Sequence, residues 1–508
     1  MNLVGSWLVQ TLDWMASRRM TNWVDVPLAK RKSGIAMADA TARNPEGKIS
    51  QSAVVYLREA LRGALLQPFN PGYGEVRSIW NGMIVKQPAL IARVTGMADV
   101  ITCVNFARDN GLPLSIRGGG HNIAGAALCE GGLMIDMSLR RAVRVDPQNR
   151  LVRTEGGAIW ADVDHESQPF DITVPSGIVS NTGVAGFTMG GGFGWTSRKC
   201  GYAADNLISV DIVTADGQPR HASERENADL FWALRGGGGN FGAVTSFEFR
   251  AHRHGPQALC GMVVHRMTRA RDVARHFRQI TAEAPDELCC LLILRTAPAA
   301  PFLPKAIHGT PIAAIAACWT GDPAAGESAM RPLKTFGRPL ADTITTKPFV
   351  AHQTMLDAGQ PFGRRYYWKS DFFADLDDGL IDAMVEHAER INSQHSAVLL
   401  TQLGGAPARL DPKLNAVGFR TARYVLNVQG AWEGPQEDRR HIAWAREYWA
   451  AIHPYSSGNA YVNFMTEDEG ETRVRAAYGD EIYAKLREIK IKFDPENLFH
   501  GIQNISPR

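Results

Sequence analysis

The sequence predicts an α+β protein in two unlike halves closed by a short C-terminal segment. Three observations lead there. Residues 89 to 116 read as strand, helix and strand; three glycine clusters punctuate the first half; and from about 255 to 455 the clusters fade while helix-like and strand-like runs alternate.

Residues 1 to 50 have mixed polarity, the basic run Lys30-Arg31-Lys32 and no sustained periodicity, so they read as an extension. Leu90, Ile91 and Val94 supply the first strand. Val100, Cys103, Val104 and Ala107 follow at i, i+3, i+4 and i+7, which puts four apolar side chains on one helix face. Gly111 is the stop, and Leu114 and Ile116 begin a second strand, completing a βαβ unit. Leu133 to Met137 is a strand, and Ala142 to Val145 pairs with Leu151 to Thr154 across the turn Pro147-Gln148-Asn149. In the second half Leu380 to Ile391 reads as helix, and Ala397 to Leu403 and Tyr424 to Gln429 as strands. A strand over Ala460 to Met465 and a helix over Glu481 to Lys492 close the chain. The expected division is an extension at 1–50, a glycine-rich domain at 51–255, a second domain at 256–455 and a C-terminal segment at 456–508.

Bulk properties narrow the function. With 508 residues, 45% of them hydrophobic, the chain can bury substantial cores. The 55 Lys+Arg nearly balance 52 Asp+Glu, and no basic run interleaved with aromatics marks nucleic-acid or membrane binding. A small-molecule substrate is the expected partner. Seven cysteines, an odd number without CxxC spacing, argue against a disulfide framework or a zinc site and fit a reducing compartment. Met1 to Ala16 lacks a basic start and contains Asp13, which reads poorly as a signal peptide, and no apolar run suits a membrane span; the cytoplasm is the expected location, with export the alternative.

The glycine clusters are Gly118 to Gly120, Gly183 to Gly194 with the triple Gly190-Gly191-Gly192, and Gly236 to Gly239 before Asn240-Phe241-Gly242. Glycine costs backbone entropy, so three dense clusters imply backbone brought close to something bulky, and freed N–H groups suit a pyrophosphate. Residues 237 to 242 match GxGxxG, yet they follow the helix-like Asp229 to Leu234 and precede the strand-like Ala243 to Phe249. A dinucleotide βαβ fingerprint needs the reverse order, and that reading is rejected. No P-loop, HExxH or GxSxG is present.

The run Pro113-Leu114-Ser115-Ile116-Arg117-Gly118-Gly119-Gly120-His121-Asn122-Ile123-Ala124-Gly125 resembles the flavin loop of berberine-bridge-enzyme-like oxidases, in the vanillyl-alcohol oxidase/para-cresol methylhydroxylase (PCMH) superfamily. Gly183 to Trp195, Asp205-Asn206-Leu207, Val213 to Gly217, Arg235 to Gly242, Tyr461 to Phe464 and Phe493 to Phe499 match in the same order, so the resemblance covers about residues 55 to 508. It implies a two-lobed PCMH-type FAD-binding domain with a core at about 86–253, an antiparallel-sheet substrate domain covered by helices, and a C-terminal segment returning to the first domain. It also implies FAD bonded at its 8α-methyl to His121, a choice that agrees with the nucleophilicity of neutral imidazole. The cofactor-binding residues implied with it are Ile116, Arg117, Gly118, Gly119, Gly120, Asn122, Gly125, Gly177, Val179, Thr182, Gly183, Gly186, Gly190, Gly191, Gly192, Gly194, Asn206, Val213, Tyr461 and Asn463. Doubly linked members carry a cysteine where this chain has Val179, so one bond is expected, and Cys129 and Cys200 read as incidental thiols.

Plant members use a tyrosine as base where this chain has Phe464. Tyr461 and Asn463 would share a face of a strand and contact flavin or substrate. The run Arg364 to Ser370 resembles a family strand facing the flavin, with Tyr367 and Lys369 on one face as candidates to act on a substrate proton. Gln402, Asn427 and Gln429 are weaker pocket candidates. The expected activity is an FAD-dependent oxidase taking hydride from an alcohol or amine carbon and passing the electrons to molecular oxygen. The alternatives are a dehydrogenase using another acceptor and a flavin-binding protein without turnover. Neither substrate nor oligomeric state is legible.

Overall fold

The computed structural model describes residues 49–501 and 503–508. The extension expected at residues 1 to 50 therefore falls almost wholly outside the described residues.

The first sheet contains β1 (Ala64–Leu66), β2 (Leu90–Arg93), β3 (Leu114–Arg117) and β4 (Leu133–Asp136) in the order β1-β2-β4-β3. Helix α1 (Met97–Asp109) connects β2 to β3, burying Val100, Cys103, Val104 and Ala107 as the spacing predicts. The two strands do not pair with each other: β4 inserts between them, parallel to both. Arg117 therefore ends its strand beside Asp136, and the glycines that follow leave the sheet at its C-terminal end.

A second sheet holds β5 (Val143–Asp146), β6 (Leu151–Glu155), β7 (Leu207–Val213), β8 (Pro219–Ser223) and β9 (Ala243–Arg250), ordered β5-β6-β9-β7-β8 and antiparallel throughout. The short helix α2 (Val184–Met189) and α3 (Ala228–Leu234) pack on it, with Trp160, Phe231, Phe247 and Phe249 in the core. Helix before strand at 228–250 accords with rejecting a dinucleotide fingerprint there.

The second half is an eight-stranded sheet whose long strands are β10 (Gln257–Arg266), β11 (Leu288–Thr296), β12 (Pro311–Trp319), β13 (Arg365–Phe373), β14 (Ala397–Gln402) and β15 (Tyr424–Trp432). They run antiparallel in the order β10-β12-β11-β14-β15-β13. Period-two alternation divides their side chains. Leu292, Leu294, Ile315, Leu400, Leu426 and Tyr367 pack under α4 (Ala270–Ala282), α5 (Pro323–Thr335), α6 (Asp378–Ala388) and α7 (Asp438–Ile452). Ile293, Leu399 and Trp368 take the opposite face, away from these helices. The long strands are buried along nearly their whole length on both faces, which is why several of them read as continuous apolar runs.

The chain ends with α8 (Glu471–Tyr478) and α9 (Asp480–Phe493). Tyr483, Leu486, Ile489 and Phe493 of α9 join the core of the second sheet. The buried Lys490 ammonium donates to the carbonyls of Asn240 and Phe499 and pairs with Asp494 at 2.6 Å, fastening the tail beside the third glycine cluster. Residues 460–465 are not the expected strand: Val462–Phe464 is a 3-10 turn. The apolar positions Tyr461, Val462 and Met465 imitate a strand pattern but bury against different cores, and among the described residues they join no strand ladder.

Candidate functional site

A cavity of about 310 Å³ lies between the glycine loops and the face of the large sheet opposite α4 to α7. The loops can meet there only because they lack side chains. A Cβ on Gly119 would fall 2.5 Å from the Cα of Gly183, and one on Gly183 would fall 2.6 Å from the Gly119 nitrogen. Gly120 then takes φ +68, a left-handed turn that aims His121 into the cavity. Gly186, by contrast, opens on free space.

Three side chains clamp His121. Trp80 stacks on its ring at 4.4 Å between centroids, Phe362 meets it edge-on at 5.9 Å, and its Nε2 lies 2.8 Å from Asn181 Oδ1. The amide oxygen can only accept, so Nε2 carries the proton and Nδ1 keeps its lone pair. Burial is the largest influence on the ring and pulls it down to about 4, against a smaller upward pull from the Asn181 bond, so it is neutral at pH 7. Trp80, Phe362 and Asn181 carry no sequence signal of this role; Trp80 in particular precedes every matching motif.

Among the expected cofactor residues, Ile116, Gly118, Gly119, Gly120, His121, Asn122, Gly177, Val179, Thr182, Gly183, Gly186, Tyr461 and Asn463 line the cavity. Arg117, Gly125, Gly190, Gly191, Gly192, Gly194, Asn206 and Val213 do not. Arg117 donates to the Val76 carbonyl and steadies the glycine turn from behind. Gly125 turns at φ +76 against Ile84. Gly190 leaves room for Asn463, whose Oδ1 would be 2.3 Å from a Cβ there. Gly191 and Gly192 pack on Phe419 and Phe187, and Gly194 on the Ser176 carbonyl. Asn206 donates to the carbonyls of Cys200 and Tyr202, and Val213 is buried in β7. These residues shape the loops from a layer further out.

Tyr461 Oη accepts from Asn463 Nδ2 at 2.9 Å and from the Gly192 N–H at 3.2 Å. Burial drives its ionisation well above the ordinary range, with those two bonds opposing. Its hydroxyl is therefore protonated at neutral pH.

Tyr367 and Lys369 do not face the cavity. They project from the helix side of β13, where the Tyr367 hydroxyl donates to Asp468 at 2.6 Å, and Lys369 Nζ pairs with Asp468 and Glu469 at 3.2 and 3.1 Å. The expectation was out by one residue, which in a strand exchanges faces: Trp368 lines the cavity instead. Gln402 is likewise on the far side, accepting from the Cys290 N–H. Asn427 and Gln429 do line the cavity, opposite Leu399 and Ala397 in register. Sequence reading passed over Arg295 and Gln360 on the same wall; a lone arginine in the apolar run Leu288–Thr296 was the available signal.

Comparison with known proteins agrees with this architecture. A family model described as FAD binding domain matches residues 88–223, and one described as berberine and berberine like matches 460–506. An (R)-6-hydroxynicotine oxidase of Paenarthrobacter nicotinovorans is 28% identical over 465 residues, 88% of this chain and 97% of that one. The crystal structure of 6-hydroxy-D-nicotine oxidase from Arthrobacter nicotinovorans superposes with TM-score 0.79 at 25% identity, covering 88% of this chain and 98% of that one. A berberine-bridge-enzyme-like protein of Physcomitrella patens gives 0.80 at 21% identity, covering 90% and 99%. Both family models match in chain order at loops that build the cavity, and the chain is an FAD-linked oxidoreductase that is similar to the berberine-bridge-enzyme-like proteins along most of its length.

Proposed function

We propose that the chain is an oxidase that holds FAD through a bond from His121 and takes hydride from an alcohol or amine carbon of a small organic molecule. The observation that carries this reading is the neutral His121 imidazole, fixed by Trp80, Phe362 and Asn181 on the cavity wall. The wall fits FAD: Gly118, Gly119, Gly186 and Gly239 border the space without side chains, and Gly186 and Gly239 would each send a Cβ into open space.

Bound FAD supplies the two-electron acceptor, which dioxygen regenerates with formation of hydrogen peroxide. His121 would carry the bond to the cofactor, with the glycine loops holding it in place, and the neutral imidazole is the form whose ring nitrogen can act as a nucleophile. Val179 faces the cavity and offers no nucleophile for a second bond. Burial raises both Cys129 and Cys200, the latter to about 12, and neither borders the cavity, so neither supplies a thiolate.

The protein's part in turnover is to hold the donor. Tyr461 presents a hydroxyl whose oxygen already accepts twice, so its own proton is available to a substrate oxygen or nitrogen. Trp368, Leu399 and Ile293 supply apolar contact, and Asn427 and Gln429 supply amides. The test is a screen of alcohols and amines for bleaching of the flavin under nitrogen, followed by air. Bleaching reversed by air supports the oxidase; bleaching that persists in air refutes oxygen as acceptor.

A further inference from the structure

The reading above leaves the donor's class open, and the wall of the large sheet narrows it. In register across that wall, Trp368 faces Gln429, Gln429 faces Ala397, and Ala397 faces Arg295. Arg295 borders the cavity, and its Nε donates to the Thr296 carbonyl at 3.1 Å. Among the described residues no carboxylate pairs with it, and no Asp or Glu borders the cavity. The neighbouring cation, Arg364, is matched by Glu433 at 2.9 Å, whereas Arg295 is not matched. Burial, with a smaller push from Arg364, lowers Arg295 to about 10, so it remains cationic at neutral pH.

The polar groups beside it are also incomplete. Asn427 is 2% exposed, and neither its amide oxygen nor its nitrogen has a partner. Gln360 Nε2 donates to Gln429 Oε1 at 2.9 Å, which leaves Gln360 Oε1 buried without a donor, and Trp368 Nε1 has no acceptor. Buried groups of this kind are normally satisfied, so those on the cavity wall that also carries Arg295 are placed to bond a polar ligand.

We propose that this wall selects organic anions: the substrate carries a carboxylate that pairs with the Arg295 guanidinium, while its apolar body lies against Trp368, Leu399 and Ile293. With Nε engaged by the Thr296 carbonyl, the Nη1–Nη2 edge of the guanidinium matches a carboxylate in two parallel hydrogen bonds. Asn427 then bonds the remaining polar substituents. The carboxylate is recognised and takes no part in the redox step. A cationic amine of the same shape meets like charge and no counter-ion, so the wall rejects it. This inference rests on the proposed oxidase reading only for where the donor lies.

The test titrates the purified flavin-containing protein with benzoate, benzamide and benzylamine, reading the flavin absorbance and, independently, heat of binding. Benzoate is expected to bind at least about tenfold more tightly than either probe, the scale of a charge-assisted pair. Arg295→Gln should lose that preference and leave benzamide binding within about threefold; Arg295→Lys should keep part of it. Melting curves establish that each variant folds, and where Arg295→Gln does not, the preference in Arg295→Lys against wild type decides. Equal binding of the three probes, no benzoate binding, or a preference that survives loss of Arg295 overturns the proposal. A protein that carries no flavin fails the oxidase reading instead, and the calorimetric arm still tests Arg295.

Discussion

Gly186 and Gly119 both belong to the glycine loops, and the structure assigns them opposite responses to a methyl group. Gly186 sits in the six-residue helix Val184–Met189, and a Cβ there meets nothing within 4 Å because it points into the cavity. Alanine favours the helix by up to about 1 kcal/mol, so Gly186→Ala should melt at the same temperature as its parent or slightly higher. The same methyl occupies space assigned to FAD, so flavin content should fall. At Gly119 the added Cβ lies 2.5 Å from Gly183 Cα and 2.7 Å from Gly183 N, backbone that cannot rotate away. Carbon atoms in contact prefer about 3.5–4.0 Å. The loops must therefore part by roughly 1 Å, at about 1–3 kcal/mol for overpacking. His121, two residues on, moves with them, and a misplacement of that size costs about a hundredfold in rate. Gly119→Ala should lose both melting temperature and attachment. Melting is measured in a His121→Ala background, where FAD can be removed, and attachment as flavin absorbance retained after acid precipitation with His121 intact. Full flavin retention in Gly186→Ala, or the same stability loss in both variants, would refute the assignment of cavity and loop contact.

Other perturbations test separate parts of the account. His121→Ala should retain FAD that acid releases and lose most turnover, checked by flavin in the supernatant and by rate. Trp80→Leu removes the ring stacked on His121 and should slow attachment about tenfold, followed by the growth of acid-stable absorbance in apoprotein given FAD. Tyr367→Phe should lower stability by about 1–3 kcal/mol through Asp468 and leave turnover within twofold; a selective collapse of turnover would return Tyr367 to the cavity side. The pH response follows from His121 lying near 4 when folded against 6.5 when free. The unfolded chain takes the proton first, so this group's contribution to stability is present above about pH 6.5 and is lost as pH falls toward 4. Attachment should follow the folded value. At pH 5 roughly nine-tenths of such an imidazole is neutral, against roughly three-hundredths of an ordinary one, so apoprotein should attach FAD nearly as fast at pH 5 as at pH 8.

How much of this was legible depended on whether the signal was local. The helix Met97–Asp109 and the glycine turn before His121 were readable because spacing and residue type act over a few positions. The inserted β4 was not, since parallel pairing joins strands that are distant in sequence. Tyr367 and Lys369 show the limit within a strand: both faces of β13 are buried, so alternation offers no hydrophobic contrast to say which side meets the cavity. The turn at Val462–Phe464 was misread for a similar reason, because apolar residues burying into two different cores resemble a strand. Trp80 and Phe362 act on His121 from segments that share no motif with it, and only the folded chain brings the three rings together.

The central claim is that His121 alone carries the flavin. Freshly purified protein is precipitated with acid, washed, digested, and its peptides are separated with detection of flavin absorbance and mass. The account predicts a yellow pellet and a single flavin-bearing peptide containing His121. A colourless pellet with flavin in the supernatant, or flavin on a cysteine peptide that lacks His121, would contradict it.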